Sequence, residues 1–161
     1  AFAASPVAGQ NVGAGLFDRV RATFRSATII GSALMIALTL ICQIKPEWFV
    51  RGFTHDEAVI AVAAEFLRYI SWNFVAQCIV FTCSGMFQAL GNTVPALVSS
   101  ASRFFTFALP AIWLSRQPGF QLHHVWLVSM ASVALQAVFS LWLLRRQFQQ
   151  RLHRVPAAAA A

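Results

Sequence analysis

The chain has 161 residues, 58% of them hydrophobic and 11% charged, with a mean hydropathy of +0.66. Soluble domains carry about 25% charged residues, and a soluble fold this short has too little interior to hide so much apolar side chain, whereas a bilayer accepts it. The net charge of +7 invites a nucleic-acid reading, but Lys and Arg cluster at the edges of apolar runs and do not interleave with polar and aromatic residues on one face, which argues against it.

Taken in chain order, residues 1–15 read as the end of a membrane helix already under way, and the chain is expected to lack an N-terminal part. Gly9, Gly13 and Gly15 fit close helix packing and a helix end. A phosphate loop is not indicated, because no strand precedes these glycines and no Lys-Ser/Thr follows.

The first complete span is predicted over Ser26–Ile44, stopping where Lys45 precedes Pro46. The second has its apolar stretch over Tyr69–Leu90. Its helix is predicted to begin earlier, from a capping box with Thr54 at the N-cap and Glu57 at N3. From Asp56 to Leu90 nothing in the sequence breaks it, and at about 1.5 Å per residue it would reach about 50 Å, beyond the ~30 Å hydrocarbon core. Its first turns then lie at or outside the interface, where Glu65 and Arg68 are spaced to pair. In the joint after it, Gly91 suits a helix C-terminus, Thr93 can cap the next helix and Pro95 fits a first turn, which makes a tight antiparallel hairpin. The third span is predicted over Pro95–Ser115 and the fourth over Leu122–Leu144. The fold class is therefore all-α, a polytopic membrane bundle whose four-helix part covers residues 16–146. Residues 147–161 are expected to be a disordered cytoplasmic tail.

Orientation follows from the basic residues. Arg19, Arg21 and Arg25 precede the first span, and Arg145, Arg146, Arg151 and Arg154 follow the fourth. Lys45, Arg51 and Arg116 on the other side are accompanied by Glu47, Asp56 and Glu57. The positive-inside rule puts both ends in the cytoplasm of a cell inner membrane, with Trp48, Trp72, Trp113 and Trp126 near the outer interface and Trp142 near the inner one.

Polar residues inside the spans form stripes. Asn73, Gln77, Ser84 and Gln88 share one face of the second span, and Thr28, Ser32, Thr39 and Gln43 repeat the same offsets in the first. Ser99, Arg103 and Thr106 line the third, and Ser129, Ser132, Gln136 and Ser140 the fourth. Hydroxyl residues suit close helix packing. For Asn73, Gln77 and Gln136, whose amides want several partners, a water-accessible cavity competes with that reading. Arg103, the one charge well inside a span, either snorkels toward the cytoplasmic interface or meets an anionic partner.

All five acids, Asp18, Glu47, Asp56, Glu57 and Glu65, sit at or outside the interfaces, so a coupling carboxylate is expected elsewhere in the full protein. Cys42, Cys78 and Cys83 lie in apolar runs without a CxxC pair, and His123 and His124 are consecutive and point apart, so no metal site is expected. No Ser-His-Asp or paired-carboxylate arrangement lies in the spans, so no enzyme is expected.

Four motifs in order resemble the second lobe of the MATE (multidrug and toxic compound extrusion) transporters. Gly9-Gln10-Asn11-Val12-Gly13-Ala14-Gly15 with Arg19-Val20-Arg21 is similar to a helix end and cytoplasmic loop of that family. Phe53-Thr54-His55-Asp56 resembles the start of its tenth helix, and Gln88-Ala89-Leu90-Gly91-Asn92-Thr93-Val94-Pro95 the hairpin between its tenth and eleventh. Ser102-Arg103 with Pro110 resembles its eleventh helix.

The resemblance implies a membrane antiporter of two six-helix lobes that expels drugs and other cationic or amphipathic compounds by alternating access, driven by H⁺ or Na⁺ and without a cofactor. Its partners would be membrane lipid, these small molecules and a first lobe of the same protein. This chain would cover the end of helix eight and helices nine to twelve. Asn73, Gln77, Gln88, Arg103 and Gln136 are the candidate cavity-lining residues, and Gln77 stands where some sodium-coupled members carry an acid. The rival readings are a lipid-linked sugar flippase of the same superfamily, or a small four-span scaffold or sensor subunit. The single intramembrane cation weighs against a flippase for anionic head groups.

Overall fold

A computed structural model describes residues 3–117 and 122–152, and these contain seven helices and no strand. They are α1 (Ala4–Gly13), α2 (Phe17–Ile44), α3 (Glu47–Arg51), α4 (Glu57–Ser71), α5 (Asn73–Ala89), α6 (Val94–Ser115) and α7 (Leu122–Leu152). The expected polytopic helical bundle is what the chain forms. Three helices, α2, α6 and α7, are each long and apolar enough to cross a membrane, and α4 with α5 makes a fourth span only if the bent pair is counted as one.

Local chemistry explains most of the helix ends. α1 stops at a Schellman motif: Gly15 has φ +72°, its N–H donates to the Val12 carbonyl at 3.0 Å, and the Leu16 N–H donates to that of Asn11 at 2.8 Å. The same motif closes α5, where Gly91 has φ +69° and the N–H groups of Gly91 and Asn92 reach the Gln88 and Phe87 carbonyls, each at 3.0 Å. α2 ends at Ile44, as the Lys45-Pro46 step predicts.

Three details differ from expectation. The α4 N-cap is Asp56, whose carboxylate accepts from the N–H groups of Ala58 and Val59, while the Thr54 hydroxyl accepts from Asp56 N–H at 3.2 Å. A carboxylate suits this position, because it also meets the positive end of the helix dipole. At α6, Thr93 occupies the N-cap position without a side-chain cap, and the Asn92 carboxamide oxygen accepts from Val94 N–H instead. Finally, α7 runs past Leu144 to Leu152, so the segment expected to be a disordered tail begins inside a helix, and residues 153–161 lie outside the described residues.

The continuous helix predicted over 56–90 is also corrected. It is divided at Trp72, and its two halves, α4 and α5, meet at 53°. No Pro or Gly lies at the break.

Packing runs α1 against α2 and α5, α2 against α5, and α7 against both α5 and α6. The apolar core gathers Ala8, Val20, Met86, Phe87, Leu144 and Phe148, so α1, the start of α2, the end of α5 and the end of α7 meet at one end of the bundle. Arg21 lies over the Phe148 ring at 5.8 Å, at that same end. Glycine does a different job from the one predicted: Gly9 and Gly13 have open space where a Cβ would stand, whereas a Cβ on Gly31 would come within 2.5 Å of Cys78 Sγ. Gly31 thus marks a close approach of α2 and α5. Only 11% of the apolar stretch of α2 and 6% of that of α6 is buried, with Ile30 and Leu97 each 70% exposed. Apolar faces of that length, on helices whose backbone groups are satisfied internally, belong in lipid.

Candidate functional site at a broken helix

The break between α4 and α5 is held open by side chains from α2. Thr39 Oγ1 donates to the Ser71 carbonyl at 2.9 Å and shares that proton with the Met35 carbonyl at 2.8 Å. Gln43 Nε2 donates to the Arg68 carbonyl at 2.8 Å and to Ser71 Oγ at 3.0 Å, and Ser71 Oγ itself donates to the Arg68 carbonyl at 3.0 Å. In an unbroken helix those two carbonyls would rely on the N–H groups of residues 72 and 75. A bend opens that ladder, and hydroxyl and amide donors from a neighbouring helix satisfy what it frees. Thr39 and Ser71 are buried, so the bond between them is part of the interior, whereas the bond from Gln43 to the Arg68 carbonyl is exposed.

Asn73 opens α5 on the far side of the break and is buried. Its Nδ2 has no hydrogen-bond partner, and neither has Oε1 of the buried Gln136 on α7, nor Thr28 Oγ1 on α2. An unpaired buried donor or acceptor costs about 1–3 kcal/mol, so each of these three positions on the predicted polar stripes is one that packing alone does not account for. Gln77, one turn beyond Asn73, is half-buried. The hydroxyls fall to the packing side of the same question: Ser99 on α6 and Ser140 on α7 are buried and bonded to each other at 2.6 Å, and Ser132 bonds back to the Ser129 carbonyl at 2.8 Å.

The predicted set is therefore divided. Asn73 and Gln77 lie at the start of α5, and Gln136 is buried on α7, which packs along α5. Gln88 is exposed at the opposite end of α5, beside the hairpin. Arg103 is half-buried on α6, which packs mainly on α7, and its guanidinium meets no acid among the described residues.

The family model described as MatE matches residues 1–114, from α1 almost to the end of α6. This chain belongs to the MatE family. No curated relative matches it. The family consists of membrane transporters of the efflux and flippase superfamily and not of enzymes, so this MatE chain is a multi-pass membrane transport protein. Irregular backbone inside a membrane survives only against protein or a polar cavity, and the break with its unpaired Asn73 amide is therefore the candidate site.

Two features were missed at the level of sequence. The break has no Pro or Gly to signal it, and two of the side chains that bond its carbonyls, Thr39 and Gln43, lie on α2. The pairing expected of Glu65 with Arg68 is replaced by a bond across elements, Glu65 Oε1 to His123 Nε2 at 2.8 Å, inside a group of aromatic rings. Glu65 and Tyr69 at i,i+4, with His123 and Trp126 at i,i+3, were the signal available.

Proposed function

We propose that this MatE chain forms part of a secondary transporter that exports drugs and other amphipathic organic cations in exchange for H⁺ or Na⁺, working with a first lobe of the same protein. The observation that carries the reading is the break at Trp72, with the buried Asn73 amide unpaired beside it. An amide offers hydrogen bonds to a passing compound without binding it as tightly as a charge would. Gln77 follows one turn beyond Asn73 on α5 and Gln136 is buried on α7, which packs along α5, while Gln88 and Arg103 stand apart.

α5 carries no acid, and the acids of α4, Glu57 and Glu65, stand before the break, so the coupling carboxylate is assigned to another part of the transporter. The ends of α2 and α7 that carry Arg19, Arg21, Arg145 and Arg146 face the cytoplasm of the inner membrane under the positive-inside rule.

The test is export of ethidium from proteoliposomes holding the full-length transporter. Ethidium should move when a pH or Na⁺ gradient is imposed and stop when the gradient is collapsed. Gradient-independent flipping of an anionic lipid-linked sugar, with no movement of ethidium, would assign the protein to the flippases instead.

A further inference from the structure

The end of the bundle remote from the apolar core holds a group of side chains that the transport reading does not use. Glu65 on α4 and His123 on α7 meet at 2.8 Å, and their side chains are 50% and 42% exposed. Aromatic rings stand round the pair. Tyr69 and Trp126 lie 5.3 Å and 4.9 Å from the imidazole centroid, both tilted toward edge-on. Trp126 is also 5.2 Å from Tyr69 and 5.7 Å from Phe66.

Beside these rings an open groove of about 590 Å³ runs along α4, walled by Ala58, Val59, Val62, Ala63, Phe66 and Trp126. Its size is that of a drug-sized ligand, and its walls carry no charged or amide side chain. Trp126 belongs to both features, since it lines the groove and stands against the imidazole that holds Glu65. The carboxylate is not in the groove's wall but borders it, next to Phe66 in the chain and tied to the imidazole against Trp126. An apolar trough with aromatic walls and an accessible carboxylate at its border selects one chemistry, an apolar body that carries a positive charge. Arg68 on α4, His124 on α7 and Glu57 before the groove are exposed, so screening weakens what each adds to a cation's energy there.

We propose that this groove is a separate binding site for an amphipathic organic cation, with Glu65 as the counter-ion, Phe66 and Trp126 as the aromatic wall, and His123 as the group that the cation displaces from Glu65. A half-exposed pair contributes little to stability, so the displacement is cheap. The proposal rests on the transport reading for its class of compound, but not for its location.

Tetraphenylphosphonium binding to the purified full-length transporter in detergent tests it. Glu65→Gln should weaken binding tenfold or more, and Trp126→Leu severalfold. His123→Phe keeps a ring against Tyr69 and Trp126 but frees the carboxylate, so it should tighten binding. Tetraphenylborate, of the same shape and opposite charge, should not compete. Measuring in an Asn73→Ala background keeps the broken-helix site out of the result. Unchanged affinity in a Glu65→Gln protein that melts like the parent overturns the proposal. So does a His123→Phe variant that loses affinity as Glu65→Gln does, because the pair would then be a structural tie only. Stronger competition from a choline-headgroup lipid than from a drug also overturns it, by giving the groove to lipid. Charge-selective binding here without gradient-driven export would leave the groove standing and remove the transport reading. Export that is intact while Glu65→Gln binds normally would remove the groove alone.

Discussion

A carboxamide buried in a membrane helix brings two donors and an acceptor into a region where each wants a partner. At Asn73 the nitrogen has none, so Asn73→Leu should do two opposite things. It should raise the melting temperature of the full-length protein, since the unpaired donor costs about 1–3 kcal/mol, and it should weaken cation export. A variant that loses stability and keeps transport would make Asn73 a packing residue. Gln77→Ala should alter cargo preference only mildly, whereas Gln77→Leu should do more harm by putting an apolar wall beside Asn73. Arg103 meets no acid among the described residues, so Arg103→Ala and Arg103→Lys should transport alike. Activity kept by Lys and lost by Ala would give the charge a partner.

At the scale of elements, the broken helix and the α2–α5 contact depend on what one helix presents to another. Replacing Thr39 by Val and Gln43 by Leu removes the α2 donors from the Ser71 and Arg68 carbonyls and should cost about 1 kcal/mol per bond. Spin labels at Val62 and Gln88, both exposed on either side of the break, should then move apart as the 53° bend opens. An unchanged distance would place the cause of the bend elsewhere. Gly31→Leu should prevent folding, and Gly31→Ala should be rescued by Cys78→Ala, because the obstacle is Cys78 Sγ.

These elements also mark what was legible in the sequence. The Gly15 and Gly91 helix ends and the Pro46 stop could be read because a glycine at positive φ or a proline acts within a few residues of itself. The break at Trp72 could not, since the stretch 56–90 contains no breaker and its bend is satisfied by side chains about thirty positions earlier in the chain. Asp56 was passed over as the cap because Thr54 and Glu57 match a capping-box pattern, although Asp is itself a preferred N-cap residue.

For the whole molecule, composition and apolar runs were enough for the polytopic bundle, and the order of four motifs was enough for the family. The geometry adds that Arg21 and Phe148 meet, which places the start of α2 and the end of α7 together. Cysteines introduced near Phe53 and Arg116 should therefore react with an impermeant reagent from outside the cell, and those near Asn92 and Gln150 should not. Outside labelling near Asn92 would contradict the orientation.

The division of labour, with cargo contact in this stretch and ion coupling outside it, is tested most directly by Gln77→Ala in the full-length transporter. The measurement is gradient-driven export of a fluorescent cation from proteoliposomes, at several cation concentrations and two sizes of pH or Na⁺ gradient. The expected result is a changed KM for the cation with the same dependence on the gradient. Loss of gradient-driven export, with cation binding unchanged, would contradict it by placing the coupling site on α5.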